Sequence, residues 1–131
     1  MKLLKKDKEK EFLKYVKERI ETLQKCYTKD RSINLKQKQR LDYFVNRPLD
    51  FIKTKKQVNY EKEKYIQDKD LVVTAEQVAI YKFIKDGFKN LIIEVYNSNE
   101  ISSETRAELN RNIAYVLSHI TGKLYCRKRS F

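Results

Sequence analysis

Few residues in this chain could do covalent chemistry. His119 is the only histidine among 131 residues, and Cys26 and Cys126 are the only thiols. A hydroxyl or thiol nucleophile needs a base held beside it, and nothing ties His119 to either cysteine or to a serine. A zinc site needs three or four ligands, and neither thiol stands at ligand spacing from His119. Two glycines, Gly87 and Gly122, cannot build a glycine-rich phosphate loop. The acid pairs Glu61/Glu63 and Glu104/Glu108 sit among lysines or on polar faces, where they read as solvated charge. The expectation is a non-catalytic protein with no metal, no cofactor and no small-molecule substrate.

Basic residues are the better candidates. The formal charge is +12, and it is unevenly spread. Residues 1–70 hold 21 Lys/Arg against 12 Asp/Glu, residues 71–122 hold 5 against 6, and residues 123–131 hold 4 against none. A field of this kind attracts nucleic acid or an acidic protein surface. The stretch 36–56 carries Lys36, Lys38, Arg40, Arg47, Lys53, Lys55 and Lys56 against only Asp42 and Asp50. Tyr43, Tyr60 and Tyr65 lie within or beside it. Cations interleaved with stackable rings suit phosphate contact with base stacking. The plainer alternative has the tyrosines at a core edge and the lysines solvating a helix. The end of the chain, "TGKLYCRKRSF", adds Arg127, Lys128 and Arg129. It is expected as a basic tail over 123–131, with Gly122 ending the last helix and "RKRSF" a free arm.

These groups must be positioned by helices. Leu13, Val16, Ile20, Leu23 and Tyr27 recur at spacings of 3 and 4, which predicts an amphipathic helix over 7–27. Leu41, Phe44 and Val45 mark a second over 34–45. Pro48 predicts a break or a sharp kink there, because the residue before proline disfavours helix and proline suits the first turn of a new one. The segment 48–67 reads either as a solvated helix or as a flexible linker, centred on 53–70. "LVVTAEQV" is a start signal: Thr74 and Gln77 make a capping box, with Val73 and Val78 at the staple positions. The helix it opens runs over about 74–96, with Tyr81, Ile84, Phe88, Leu91 and Val95 on one stripe. Gly87, in its middle, reads either as permitting a close helix crossing or as a tolerated surface glycine. Ser102 caps a last helix over about 103–121, whose stripe is Leu109, Ile113, Val116 or Leu117, Ile120 and Leu124. No internal repeat is evident. A helix-turn-helix over 95–111 is a poor match, since Arg106 falls where an apolar residue should enter the core. A capped amphipathic helix explains the same residues.

The expected fold is all-α: one helical domain over 1–131, a four- or five-helix antiparallel bundle with a central hairpin of helices at about 74–96 and 103–121. The apolar surplus of the 74–96 helix could also feed a homodimer. Charge stands where the apolar core of a secretory signal would be, and isolated cysteines read as reduced thiols, so a cytoplasmic setting is expected. The first helix lacks bulky apolar anchors, which argues against membrane association. The leading functional expectation is a nucleic-acid-binding or nucleic-acid-associated accessory protein with weak or no sequence readout. The alternative is a helical module that binds or inhibits a protein partner. In size and charge alone the chain is loosely similar to bacteriocin immunity proteins and to phage or plasmid inhibitors.

Overall fold

The computed structural model describes residues 5–56 and 72–129, with side chains for 7–56 and 72–124. The described residues form four α-helices: α1 (Lys5–Lys29), α2 (Leu35–Thr54), α3 (Val78–Tyr96) and α4 (Ser103–Arg129). A 3-10 turn, Ala75–Gln77, leads into α3.

The apolar stripes become the core. Leu13, Val16, Ile20, Leu23 and Tyr27 on α1 are all buried, as are Tyr81, Ile84, Phe88, Leu91 and Val95 on α3. From α4 come Leu109, Ile113, Val116 and Ile120, and from α2 Leu41, Val45 and Phe51. Removing these apolar faces from water is the main force holding the helices together.

The packing is a closed ring. α1 packs on α2 and α3, and α4 packs on α2 and α3, so α2 and α3 face each other only across a diagonal. Side-chain pairs fix the directions. Asp42 on α2 accepts from Gln24 and Tyr27 near the end of α1. Glu94 near the end of α3 meets Tyr15 and Arg19 in the middle of α1, while Gly87, two turns earlier on α3, lies against Leu23 further along α1. Phe44 early in α2 stacks on His119 late in α4, with ring centroids 4.3 Å apart. Every adjacent pair is therefore antiparallel, while diagonal partners run parallel. The N-termini of α2 and α3 meet at one end of the bundle. Lys55 and Val73, which flank the link through 57–71, lie at opposite ends.

Two helix boundaries differ from expectation. α2 does not stop at Pro48 but runs through it to Thr54. Proline inside a helix costs about 3 kcal/mol through a lost hydrogen bond and a steric clash. Here Pro48 is buried on the same face as Val45 and Phe51, so core packing on both sides of it carries the helix on. α2 ends instead at Lys55, whose φ of 56° is left-handed and whose N–H bonds to the Phe51 carbonyl at 2.7 Å.

Gly122 does not end α4, which continues to Arg129. A left-handed cap residue is one way to stop a helix, but Gly122 has no positive φ. Leu124, beyond it, still packs against the core. Arg127, Lys128 and Arg129 are thus helical positions rather than a free arm. Of the segment expected over 48–67, residues 48–54 belong to α2. Val58, Tyr60, Glu61, Glu63, Tyr65 and Ile66 lie outside the described residues, as do Ser130 and Phe131.

The start signals are seen as expected. Thr74 and Gln77 form their capping box, and the Ser102 hydroxyl accepts from the Thr105 N–H at 3.2 Å. Gly87 does mark a close crossing: a Cβ there would stand 2.5 Å from Leu23 Cδ2. No described helix is long and apolar enough to cross a membrane.

Candidate nucleic-acid interface

α2 carries most of the basic residues singled out in the sequence, and its geometry divides them. Lys36, Arg40, Tyr43 and Arg47 recur at spacings of 4, 3 and 4, which places them on one stripe. That stripe faces α4. Arg47 is only 9% exposed, and its guanidinium lies 4.2 Å from the centroid of the Tyr115 ring. Arg40 stands 6.0 Å from the Phe44 ring, and Phe44 in turn stacks on His119. Arg40 and Arg47 are thereby built into an aromatic seam between α2 and α4, and Tyr43 lies beside it, 6.0 Å from Arg47. An arginine held over an aromatic face contributes stability through cation–π attraction.

Lys38 and Lys53 lie on the opposite flank of α2, toward α1. Lys53, Lys55 and Lys56 are exposed at the end of the bundle where α2 finishes. Asp7, Glu9, Glu100 and Glu104 share that end with Lys8 and Lys10, and the Ser102 N–H meets Glu9 there. Nearby, a groove of about 1190 Å³ runs between α1 and α2. Leu13, Leu49 and Ile52 line it, with Lys10, Lys14, Lys17, Lys53 and Lys55 set against Asp7, Glu11, Glu21 and Asp50. Both signs are nearly balanced, so this surface does not concentrate one kind of ion.

The other end is different. There α1 and α4 finish and α2 and α3 begin. The antiparallel register that pairs Phe44 with His119, and Arg47 with Tyr115, brings the last turns of α4 level with the first turn of α2. Seven basic positions gather in the terminal turns: Lys29, Arg31, Lys36, Lys38, Arg127, Lys128 and Arg129. The first four belong to α1, its loop and α2, and Lys29, Arg31 and Lys36 are exposed. The last three are placed by their backbone on α4. Among the described residues, only Asp30 and Glu76 oppose them, and Asp30 already accepts the N–H and hydroxyl of Ser32. Two positive and two negative helix-dipole ends meet here, so the sign of the field comes from side chains.

Sequence reasoning named Lys36, Lys38, Arg127, Lys128 and Arg129 without the register that joins them. It did not single out Lys29 and Arg31, which belong to a polar connector whose nearness to the end of α4 has no local signature. The remaining chemical groups have structural settings. His119 is half-buried against Phe44, the Cys26 thiol is free and half-buried, and Glu108 pairs with Arg111 at 3.8 Å. Arg106 donates to the Ser98 carbonyl at 2.6 Å and so closes the α3–α4 hairpin. Among the described residues no group of three His, Cys, Asp or Glu could hold a metal ion. Comparison with protein-family models, with curated proteins and with solved structures returned no match.

Proposed function

We propose that this protein is a non-catalytic nucleic-acid-binding accessory factor that contacts phosphates through the basic end of its bundle. The observation that carries this reading is the gathering of seven basic positions from three chain segments against two acids among the described residues. Lys29, Arg31, Lys36 and Lys38 would neutralise phosphates, helped by Arg127, Lys128 and Arg129. Such contacts hold the backbone of a nucleic acid and carry no sequence information, so binding would be indifferent to sequence.

Salt dependence tests it. Log affinity should fall linearly with log salt, with a slope of about 0.9 per phosphate neutralised on duplex DNA and about 0.7 on a single strand. Replacing Lys29, Arg31, Lys36 and Lys38 with glutamine should flatten the slope. Replacing Lys53, Lys55 and Lys56, at the far end, should leave it unchanged. Equal effects from the two sets, or no binding at low salt, would remove the proposal.

One observation favours a second reading. The α1–α2 groove pairs an apolar floor with a rim of mixed charge, which suits the amphipathic helix of a protein partner. Under that reading, Leu49→Asp in the groove abolishes capture of one stoichiometric partner from nuclease-treated extract, and substitutions at the basic end do not.

A further inference from the structure

α2 and α3 open with the same local device, 40 residues apart. "INLKQ" at 33–37 and "VTAEQ" at 73–77 are both capping boxes preceded by a buried β-branched residue. The glutamine of each box also serves the other. Gln37 Oε1 accepts the Asn34 N–H at 3.0 Å, and Gln77 Oε1 accepts the Thr74 N–H at 3.1 Å. The two amides then donate to each other, Gln37 Nε2 to Gln77 Oε1 and Gln77 Nε2 to Gln37 Oε1, both at 2.8 Å. The remaining N–H of Gln77 reaches the Ser32 carbonyl in the α1–α2 loop, and that of Gln37 reaches the Val72 carbonyl at 3.5 Å. Each amide makes four hydrogen bonds while only 2% and 4% of the two residues is exposed.

We infer that Gln37 and Gln77 are positioning residues, a reciprocal clasp that sets the height of α2 against α3 and assembles the end of the bundle that carries Lys29, Arg31, Lys36 and Lys38. These helices stand on the diagonal, and their backbones do not approach each other closely as those of adjacent helices do, so their relative register is set mainly through α1 and α4. Apolar stripes alone tolerate a slip of one turn. A buried polar pair does not, because every displaced amide leaves donors and acceptors unsatisfied in a low-dielectric interior. A single buried polar position is known to specify register in coiled coils for this reason. The Gln77 bond to Ser32 adds the α1–α2 loop to the same unit.

The test is a double-substitution cycle in the full chain, read by thermal melting and amide hydrogen exchange. Gln37→Leu should lower the melting temperature by on the order of 10 °C. It should also speed exchange at the Thr74 N–H at least tenfold, although Thr74 belongs to the other box. Gln77→Leu should do the same at Asn34. The double leucine variant, with both partners apolar, should melt well above the sum of the single losses. Additive losses, or unchanged exchange across the pair, overturn the clasp. Should a leucine variant fail to fold, Gln37→Glu keeps the shape and the Asn34 cap while losing donation to Gln77. Faster Thr74 exchange is then expected, and unchanged exchange again overturns the inference. A final arm rests on the nucleic-acid reading: Gln77→Leu, which leaves the charge unchanged, should flatten the salt slope. Failure of the wild type to bind nucleic acid would sink that reading, while melting and exchange still decide the clasp.

Discussion

Burial sets the chemistry of two phenols, Tyr27 in the last turn of α1 and Tyr81 in the first turn of α3. Burial pushes the Tyr81 phenol up from its ordinary value near 10 to about 12. Tyr27 is raised further, first by burial and then by its hydrogen bond to Asp42 and that carboxylate's charge. In the unfolded chain both phenols ionise near pH 10. Below that pH both states hold their protons, and stability does not depend on these groups. Above it the unfolded chain loses protons that the folded protein keeps, so stability falls as pH rises from about 10 toward 12. Tyr81→Phe removes one of these groups. Its alkaline unfolding midpoint should move up by about half a pH unit, with no change at neutral pH. A midpoint unchanged from wild type would show that Tyr81 ionises freely in the folded protein.

At the scale of the helix, the two glycines call for opposite outcomes from one substitution. Gly122→Ala meets nothing within 4 Å, so it should stabilise the protein by about 1 kcal/mol through helix propensity alone. Gly87→Ala has the same propensity gain. Its new methyl would stand 2.5 Å from Leu23 Cδ2 and 3.2 Å from Leu23 Cγ. Overpacking typically costs about 1–3 kcal/mol. Leu23 is 6% exposed and has little room to yield, so a net loss of about 1 kcal/mol is expected. Denaturant unfolding checks both, and shortening the neighbour by Leu23→Ala should turn the Gly87→Ala loss into a gain. The α2 boundary follows the same balance of local and tertiary terms. Pro48 is tolerated inside the helix because its face is buried. Lys55 takes a left-handed conformation that glycine would adopt more readily.

For the whole molecule, the end of α4 separates stability from the proposed binding. The core-forming side chains of α4 run from Leu109 to Ile120, with Leu124 packed at the margin. A chain ending at Leu124 should therefore keep a single cooperative unfolding transition within about 5 °C of the full protein. The same truncation removes Arg127, Lys128 and Arg129 from the basic end. Its salt slope should fall by up to about 0.9 for each phosphate those residues hold on duplex DNA. Loss of folding on truncation would assign the last turns of α4 to the core instead. The slope can be read by titrating a labelled duplex at several salt concentrations.

The all-α class, the stripes on α1, α3 and α4, the caps at Thr74 and Ser102, and the crossing at Gly87 are written in local pattern. A 3.6-residue period and the hydrogen-bonding needs of a helix start act over a few residues, so they are legible without the fold. The repeated capping box escaped notice because each copy looks like an ordinary helix start; only the meeting of Gln37 with Gln77 makes them one device. The end of α2 and the end of α4 were misplaced for a related reason. Proline and glycine are local stop signals, and the burial of Pro48 and the packing of Leu124 outweigh or bypass them. Charge followed the same division. The sequence determined how many cations this protein carries and where they stand along the chain. Tertiary structure alone decided that Arg40 and Arg47 turn onto aromatic rings and that Lys53, Lys55 and Lys56 stand among charges of both signs. It also brought Lys29, Arg31, Lys36 and Lys38 level with the last turn of α4. The field at a surface depends on distances through space, and the antiparallel register of α2 and α4 sets those distances.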